Sequence, residues 1–305
     1  MSETSTSRCA LLRSLLFVPG DSERKLEKAS SCNADALILD LEDSVASTRT
    51  SFARGLVLEY LRARPQRGRQ QLWVRINPLD TSASLHDLIV ADGAPDGLML
   101  PKVNLPSAVQ TLSNYLDVLE VRAGLEPGSI RIVPVATETP QALFTLGGYA
   151  GCSPRLSGMT WGAEDLASAL GASSNRRVDG EYDTVYQLAR AFCLAGAAAA
   201  SVPAIDTIYA NYSDSEGLAD EARAARRAGF TGKLAIHPGQ VAIINEAFSP
   251  SADEVQWSKK VLQAFEDNPG LGTVGIEGRM LDMPHLKQAL RLLDLASRCA
   301  AMSPS

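Results

Sequence analysis

Short apolar segments alternate with amphipathic segments along most of the chain. The apolar segments lie at residues 14–18, 36–41, 72–76, 97–101, 130–136, 156–161, 204–209 and 233–236. Continuous apolar runs of this length, separated by helical patterns, are typical of parallel strands that helices cover on both faces. Eight such units in roughly 240 residues favour a (β/α)8 TIM barrel. An open, doubly wound sheet has the same periodicity and stays a structural alternative.

The pattern changes after the eighth apolar run. Residues 251–266 have a helical pattern, residues 268–273 form a Gly- and Pro-rich loop, and residues 285–299 form a last helix. This segment is too small for an independent domain, so we expect a helical appendage that packs on the barrel or on a neighbouring subunit. The predicted organisation is a disordered, Ser/Thr-rich tail over residues 1–10, a catalytic barrel over 11–250 and the appendage over 251–305.

Charge and cysteine content exclude several classes of function. The net charge is −6 and no basic patch is visible, so nucleic acid is not an expected partner. No apolar run is long enough to span a bilayer, so no membrane partner is expected either. The five cysteines are scattered without metal-binding spacing, which is typical of reduced thiols in a cytoplasmic protein. No Walker, GxGxxG or GxSxG motif is placed to bind a nucleotide or to act as a nucleophile elbow.

Two carboxylates stand at the ends of successive apolar runs. Glu138 follows the fifth run and Asp165 follows the sixth, and each precedes a helical pattern. In a parallel sheet both residues lie at the same edge, where α/β enzymes build their sites. Two hard oxygen ligands without His or Cys suit Mg²⁺, which keeps its other positions for water and substrate.

Charged residues also follow most of the other runs. They are Asp40 in the second run with Glu42 and Asp43 after it, Arg75 in the third, Lys102 after the fourth, Asp206 in the seventh and His237 after the eighth. Such residues at successive strand ends indicate a catalytic site rather than solvated loops. Glu42 and Asp43 are candidate catalytic residues on this basis.

The two basic residues of this set have alternative interpretations. Arg75 could pair with Asp40 or Glu42, but we favour a clamp for a substrate carboxylate or a developing enolate oxygen. Lys102 could form a Schiff base, but we favour pairing with a neighbouring acid, because a metal site makes a second electron sink unnecessary. On the first helix, Arg24 and Lys28 share one face and form either an exposed basic surface or a phosphate site.

Taken in order, these motifs resemble the citrate lyase β-subunit family, within the wider HpcH/HpaI aldolase group. The matching segments are 16–20 (LFVPG), 39–45 (LDLEDSV), 74–77 (VRIN), 138–139 (ET), 161–167 (WGAEDLA), 204–206 (AID), 229–238 (GFTGKLAIHP) and 278–282 (GRMLD). They cover nearly the whole chain, residues 12–296. Members of the family cleave or form carbon–carbon bonds in 3-hydroxyacyl-CoA thioesters such as malyl-CoA, citramalyl-CoA and citryl-CoA.

The resemblance implies a role for each matching residue. Glu138 and Asp165 would bind Mg²⁺, or Mn²⁺ in its place. Arg75 would contact the oxo-acid and the thioester enolate, and Asp282 would be the acid/base that reaches into an adjacent subunit's site. The residues implied to contact the CoA thioester are Arg24, Lys28, Phe17, Pro19, Ile236 and Pro238. The expected partners are an acyl-CoA and an oxo-acid (glyoxylate, pyruvate or oxaloacetate), and the expected assembly is a homotrimer or a dimer of trimers.

One residue departs from the family pattern. Thr137, directly before Glu138, stands where many relatives carry isoleucine, and we expect it to alter the pocket without abolishing metal binding.

Three alternatives stay open. An HpaI-type class II aldolase would act on free oxo-acids, but this chain has Asp43 and Ser44 where those relatives use a histidine base. A subunit of a citrate lyase complex would act on an acyl-carrier thioester. A catalytically silent binding homologue would be free to lose the four residues Glu138, Asp165, Arg75 and Asp282, all of which are present.

Overall fold

The computed structural model describes residues 11–302, and the predicted N-terminal tail lies outside the described residues. The chain divides after Asn245 into two compact units. The first unit contains all eight predicted strands. They are β1 Ser14–Pro19, β2 Ala36–Asp40, β3 Gln71–Arg75, β4 Gly97–Leu100, β5 Arg131–Pro134, β6 Met159–Thr160, β7 Ala204–Asp206 and β8 Gly232–Ala235.

The eight strands form one parallel sheet in the order β5-β4-β3-β2-β1-β8-β7-β6. Its two end strands, β5 and β6, are joined by parallel bridges between Ile132 and Leu156 and between Val135 and Thr160. The Ala136 N–H donates to the Thr160 carbonyl at 2.8 Å across the same seam. These bonds bring the sheet nearly to closure, so the barrel prediction is confirmed and the open sheet is excluded.

Apolar side chains from alternate strand positions fill the barrel interior. The buried cluster comprises Leu15, Ala36, Ile38, Trp73, Met99, Val133, Val135, Ile205 and Leu234. Its bulkiest member, Trp73, lies against Gly97 of the neighbouring strand, where an added Cβ would come within 2.2 Å of the indole ring. A glycine at this position therefore lets the large ring fill the barrel without forcing the strands apart.

Helices surround the barrel and connect its strands. They are α1 Glu23–Ser30, α2 Thr50–Arg62, α3 Ser82–Asp87, α4 Ser107–Ala123, α5 Glu164–Leu170, α6 Thr184–Ala199, α7 Ser215–Ala228 and α8 Pro238–Ala247, with short 3₁₀ helices at Ser47–Arg49, Leu88–Gly93, Ala142–Phe144 and Leu146–Tyr149. Helix α7 ends at Gly229, whose φ of +116° is a backbone conformation that glycine adopts without strain.

The second unit consists of α9 Ala252–Glu266, a hairpin of β9 Thr273–Ile276 and β10 Arg279–Asp282, and α10 Met283–Met302. Ser251 and Glu254 form a capping box at the start of α9. The hairpin was not predicted, because its turn at Glu277 and Gly278 lacks the usual Asn-Gly signal, although both residues have positive φ. Its small core comprises Val261, Phe265, Val274, Leu281 and Ala289.

Over residues 11–302, no helix combines the length and the apolar character needed to cross a bilayer.

Candidate active site

A cavity of about 390 Å³ opens at the carboxyl ends of the barrel strands. Seven of the predicted site residues line it: Phe17, Pro19, Asp43, Arg75, Glu138, Asp165 and Ile236. The structure adds an apolar wall of Val135, Ile208 and Leu234, which the sequence analysis did not assign to the site. Val135 and Leu234 belong to the inward-facing cluster of the barrel, and the sequence did not identify them because an apolar run without alternation does not show which of its side chains point inward.

Glu138 is almost completely buried at the wall of this cavity. Its Oε2 accepts a hydrogen bond of 2.6 Å from the Lys102 backbone N–H. Burial raises the pKa of Glu138 to about 8, with further contributions from the charges of Asp165 and Glu42. The second predicted ligand, Asp165, lies at the start of α5 with its side chain one-third exposed to the same cavity.

Arg75 projects from the end of β3 into a set of acids. Its Nε and Nη2 donate to the two oxygens of Asp40, both at 2.7 Å, and its Nη1 lies 3.0 Å from Glu42. Burial raises the pKa of Asp40, but the hydrogen bonds and charge of Arg75 outweigh burial and hold that pKa below its ordinary value. The guanidinium also stacks over the Phe17 ring, 4.7 Å from its centroid. Arg75 is therefore paired with Asp40 and Glu42, as one of its two interpretations predicts. It also lines the cavity, as a clamp for a substrate oxygen must.

Lys102 connects the acids of the site. Its Nζ lies 2.5 Å from Glu42, 3.2 Å from Asp43 and 3.4 Å from Asp165. Its backbone has a φ of +51°, an uncommon conformation that accompanies the N–H bond to Glu138. Burial lowers the pKa of Lys102, but the bond to Glu42 and the nearby carboxylates raise it above its ordinary value. A Schiff-base lysine needs a lowered pKa, so pairing with the acids is the interpretation that fits.

Carboxyl groups outnumber cations in this cluster. Asp40, Glu42, Asp43, Glu138 and Asp165 surround two cations, the guanidinium of Arg75 and the ammonium of Lys102. Burial raises the pKa of Glu42 to about 7, and its buried Oε2 makes an ion pair with Arg75 Nη1 at 3.0 Å that lacks hydrogen-bond geometry. This surplus of hard, buried oxygen atoms fits a divalent cation such as Mg²⁺. Among residues 11–302, no group of three or more His, Cys, Asp or Glu side chains is arranged as a metal site.

Asp206 was expected at the mouth of the barrel, and this expectation is wrong. Its carboxylate lies outside the cavity, where it accepts hydrogen bonds from Trp161 Nε1 at 2.7 Å, Lys233 Nζ at 3.0 Å and Arg190 Nε at 3.0 Å. Because Ile205 points into the barrel, the next residue along the strand points towards the surrounding helices. Asp206 is thus part of an ion-pair network behind Trp161.

Three residues predicted to contact a cofactor do not line the cavity. Arg24 and Lys28 are exposed on α1, and Pro238 begins α8. His237 is likewise exposed and stacks on Tyr212 at 5.2 Å between ring centroids.

Asp282 belongs to the second unit, where it ends β10. Its side chain is half exposed, and Oδ1 lies 2.5 Å from Nδ1 of His285 on the first turn of α10. Sequence analysis did not anticipate this contact between the two side chains.

Comparison with known proteins gives consistent matches. The family model described as HpcH/HpaI aldolase/citrate lyase matches residues 13–238. The mitochondrial citramalyl-CoA lyase of Rattus norvegicus is 33% identical over 302 residues, covering 93% of this chain and 86% of that protein. A (3S)-malyl-CoA thioesterase of Cereibacter sphaeroides is 34% identical over 296 residues, covering 96% and 97%. The crystal structure of CitE from Mycobacterium tuberculosis with magnesium, acetoacetate and coenzyme A has a TM-score of 0.78 at 33% identity, covering 94% of this chain and 99% of that chain.

Proposed function

This chain belongs to the HpcH/HpaI aldolase/citrate lyase family, and we propose that it is a Mg²⁺-dependent carbon–carbon lyase of 3-hydroxyacyl-CoA thioesters. The products of cleavage are an α-oxo acid, such as glyoxylate, pyruvate or oxaloacetate, and a short acyl-CoA. One observation supports this most strongly: Glu138, Asp165 and Arg75 face a single cavity with an apolar wall. That arrangement provides two metal ligands, a fixed positive charge and room for a small organic acid.

Glu138 and Asp165 hold the Mg²⁺, with Mn²⁺ able to replace it. When bound, the ion supplies Lewis-acid polarisation of the oxygen atoms of the oxo-acid half. The backbone N–H of Lys102 fixes the orientation of Glu138, and the ammonium of Lys102 lies beside Asp165. These contacts with Lys102 hold both carboxylates in place at the cavity before the ion binds.

Arg75 stabilises the enolate oxygen of the departing acyl-CoA. Its forked contact with Asp40 and its stacking on Phe17 fix the guanidinium plane in advance, so the charge needs no reorganisation during the reaction. Glu42 and Asp43 hold Arg75 and Lys102 from the opposite side. We assign these two acids to positioning within the catalytic cluster.

The CoA portion extends from the cavity towards α1. Phe17, Pro19 and Ile236 line the cavity and contact the ligand's inner part, while Pro238 begins α8, just after Ile236 in the chain. The exposed cations Arg24 and Lys28 bind its phosphates. This assignment rests on the sequence resemblance and on the exposure of both cations.

Asp282 protonates the enolate in cleavage and removes the same proton in synthesis. It lies outside the eight βα units and half exposed, which suits a residue donated to a neighbouring subunit. The working assembly is then a closed homotrimer or a dimer of trimers. Cys32, Cys152 and Cys193 are free thiols, which suits a reducing cytoplasm.

The test is a panel of malyl-, methylmalyl-, citramalyl- and citryl-CoA, together with an acyl-carrier thioester and free oxo-acid aldols. Released oxo-acid is measured as its hydrazone, and released thiol with a thiol reagent. A CoA lyase releases oxo-acid as the thioester is consumed and releases no free thiol. The Glu138→Gln control releases no oxo-acid and no free thiol. If no CoA thioester yields oxo-acid with Mg²⁺, the proposal is wrong.

The similarity to a (3S)-malyl-CoA thioesterase supports a second candidate, hydrolysis of the thioester bond. The same panel separates the two reactions, because hydrolysis yields free CoA thiol and a hydroxy acid without any oxo-acid.

A further inference from the structure

Thr137 joins the two loops that contain the proposed metal ligands. It is completely buried and directly precedes Glu138. Its Oγ1 accepts a hydrogen bond from the Gly162 backbone N–H at 3.1 Å. Gly162 begins the short segment that leads to Asp165 on α5. One hydroxyl group therefore bridges the loop after β5 and the loop after β6.

The same two loops are in direct contact at Glu138. A Cβ added at Gly162 would lie 2.8 Å from Cγ and 3.1 Å from Oε1 of Glu138. The carboxylate thus packs against the bare Cα of Gly162, while its other oxygen is held by the Lys102 N–H. Because Glu138 packs against Gly162, a change in the separation of the loops would move it relative to Asp165.

We propose that Thr137 is a positioning residue that sets the separation of Glu138 and Asp165 and thereby tunes the affinity of the site for its divalent cation. This inference rests on the proposed function, since it assumes that these two carboxylates bind the metal. Groups that orient metal ligands from behind typically change metal affinity by about 10- to 100-fold when they are removed. The hydroxyl acts here on the backbone of the ligand loop, so we expect an effect at the lower end of that range.

Thr160 provides a matched control within the same region. It is also a completely buried threonine, on β6, but its Oγ1 has no hydrogen-bond partner. Thr137→Val and Thr160→Val make the same chemical change in the same barrel, and they differ in whether a hydrogen bond is lost. Thr137→Ser retains the hydroxyl and serves as the rescue variant.

The experiment titrates the purified proteins with Mn²⁺ and measures the free ion by electron paramagnetic resonance. Thr137→Val should bind Mn²⁺ about 10-fold more weakly than the unmodified protein, whereas Thr160→Val and Thr137→Ser should stay within about threefold of it. The Mg²⁺ concentration for half-maximal activity should rise in Thr137→Val, while kcat at saturating Mg²⁺ changes little. If Thr137→Val does not fold, Thr137→Ala and Thr160→Ala make the same comparison.

Equal Mn²⁺ affinities for Thr137→Val and Thr160→Val would overturn the inference, as would a Thr137→Ser variant as weak as Thr137→Val. Glu138→Gln distinguishes this failure from failure of the proposed function. If Glu138→Gln binds Mn²⁺ normally, the metal site itself is misassigned. If Glu138→Gln loses Mn²⁺ and the two valine variants are alike, the metal site stands and Thr137 has no part in tuning it.

Discussion

Replacing Arg75 by lysine separates its fixed geometry from its charge. Arg75 donates two parallel hydrogen bonds of 2.7 Å to Asp40, and the same guanidinium faces the cavity. Lysine keeps the positive charge but can offer Asp40 only a single point contact, so it cannot hold a donor in the fixed guanidinium plane at the cavity. We therefore expect Arg75→Lys to fold and to be nearly inactive.

The structure sets the size of both effects. Losing one of two charged hydrogen bonds to the buried Asp40 should lower the free energy of unfolding by about 1.5–3 kcal/mol. Removing a preorganised donor from a developing oxyanion should lower kcat by about 10²-fold or more, which corresponds to about 2.7 kcal/mol of transition-state stabilisation. Arg75→Ala is less informative, because it leaves Asp40 buried without its partner and should destabilise the fold by about 3–5 kcal/mol.

The assay pairs kcat for oxo-acid release with urea denaturation of the same preparations. Arg190→Lys is the matched control, because Arg190 makes a comparable forked contact with the buried Asp206 outside the cavity. Arg190→Lys should lose stability by a similar amount and retain most of its kcat. A near-normal kcat in Arg75→Lys, or equal losses in both variants, would refute the role of Arg75 as an enolate clamp.

Three further predictions follow from the site and the fold. Glu138→Gln and Asp165→Asn should each weaken Mn²⁺ binding and abolish turnover; turnover that survives chelation together with either substitution would contradict the metal assignment. Mixed oligomers of inactive Asp282→Ala and inactive Glu138→Gln subunits should regain activity, because some sites then combine an intact metal pair with an intact donated acid; mixed oligomers without activity would exclude donation between subunits. Burial raises the pKa of Glu120, but hydrogen bonds from Arg155 and the backbone outweigh burial and hold that pKa below its ordinary value, so the contribution of Glu120 to stability is present at neutral pH and is lost as the pH falls through the lowered pKa. Glu120→Gln should therefore lower stability at neutral pH and flatten the acid limb of the stability–pH curve, and an unchanged limb would show that this carboxylate is not the linked group.

Local residue patterns were enough to predict the secondary-structure elements and the family. Each predicted strand is present to within a few residues, because a strand buried on both faces needs a short continuous apolar run. The ordered motifs predicted the family, which the comparisons confirmed. The placement of Glu138 and Asp165 on one cavity followed from the rule that parallel strands end at the same edge.

Contacts between distant residues, and the direction in which each strand side chain points, could not be predicted from these patterns. An apolar strand without alternation does not reveal which side chains point inward, so Asp206 was placed at the mouth although it faces the helices. Closure at the seam between β5 and β6 depends on the curvature of the whole sheet, and it is this closure that brings Thr137 to Gly162. Lys102 reaches its acids through a positive φ that no residue pattern predicted. The hydrophobic pattern along a segment follows from the periodicity of a strand or a helix. The contacts of Thr137 and Lys102 join residues that are distant in the sequence, so they depend on strand register and on closure of the barrel.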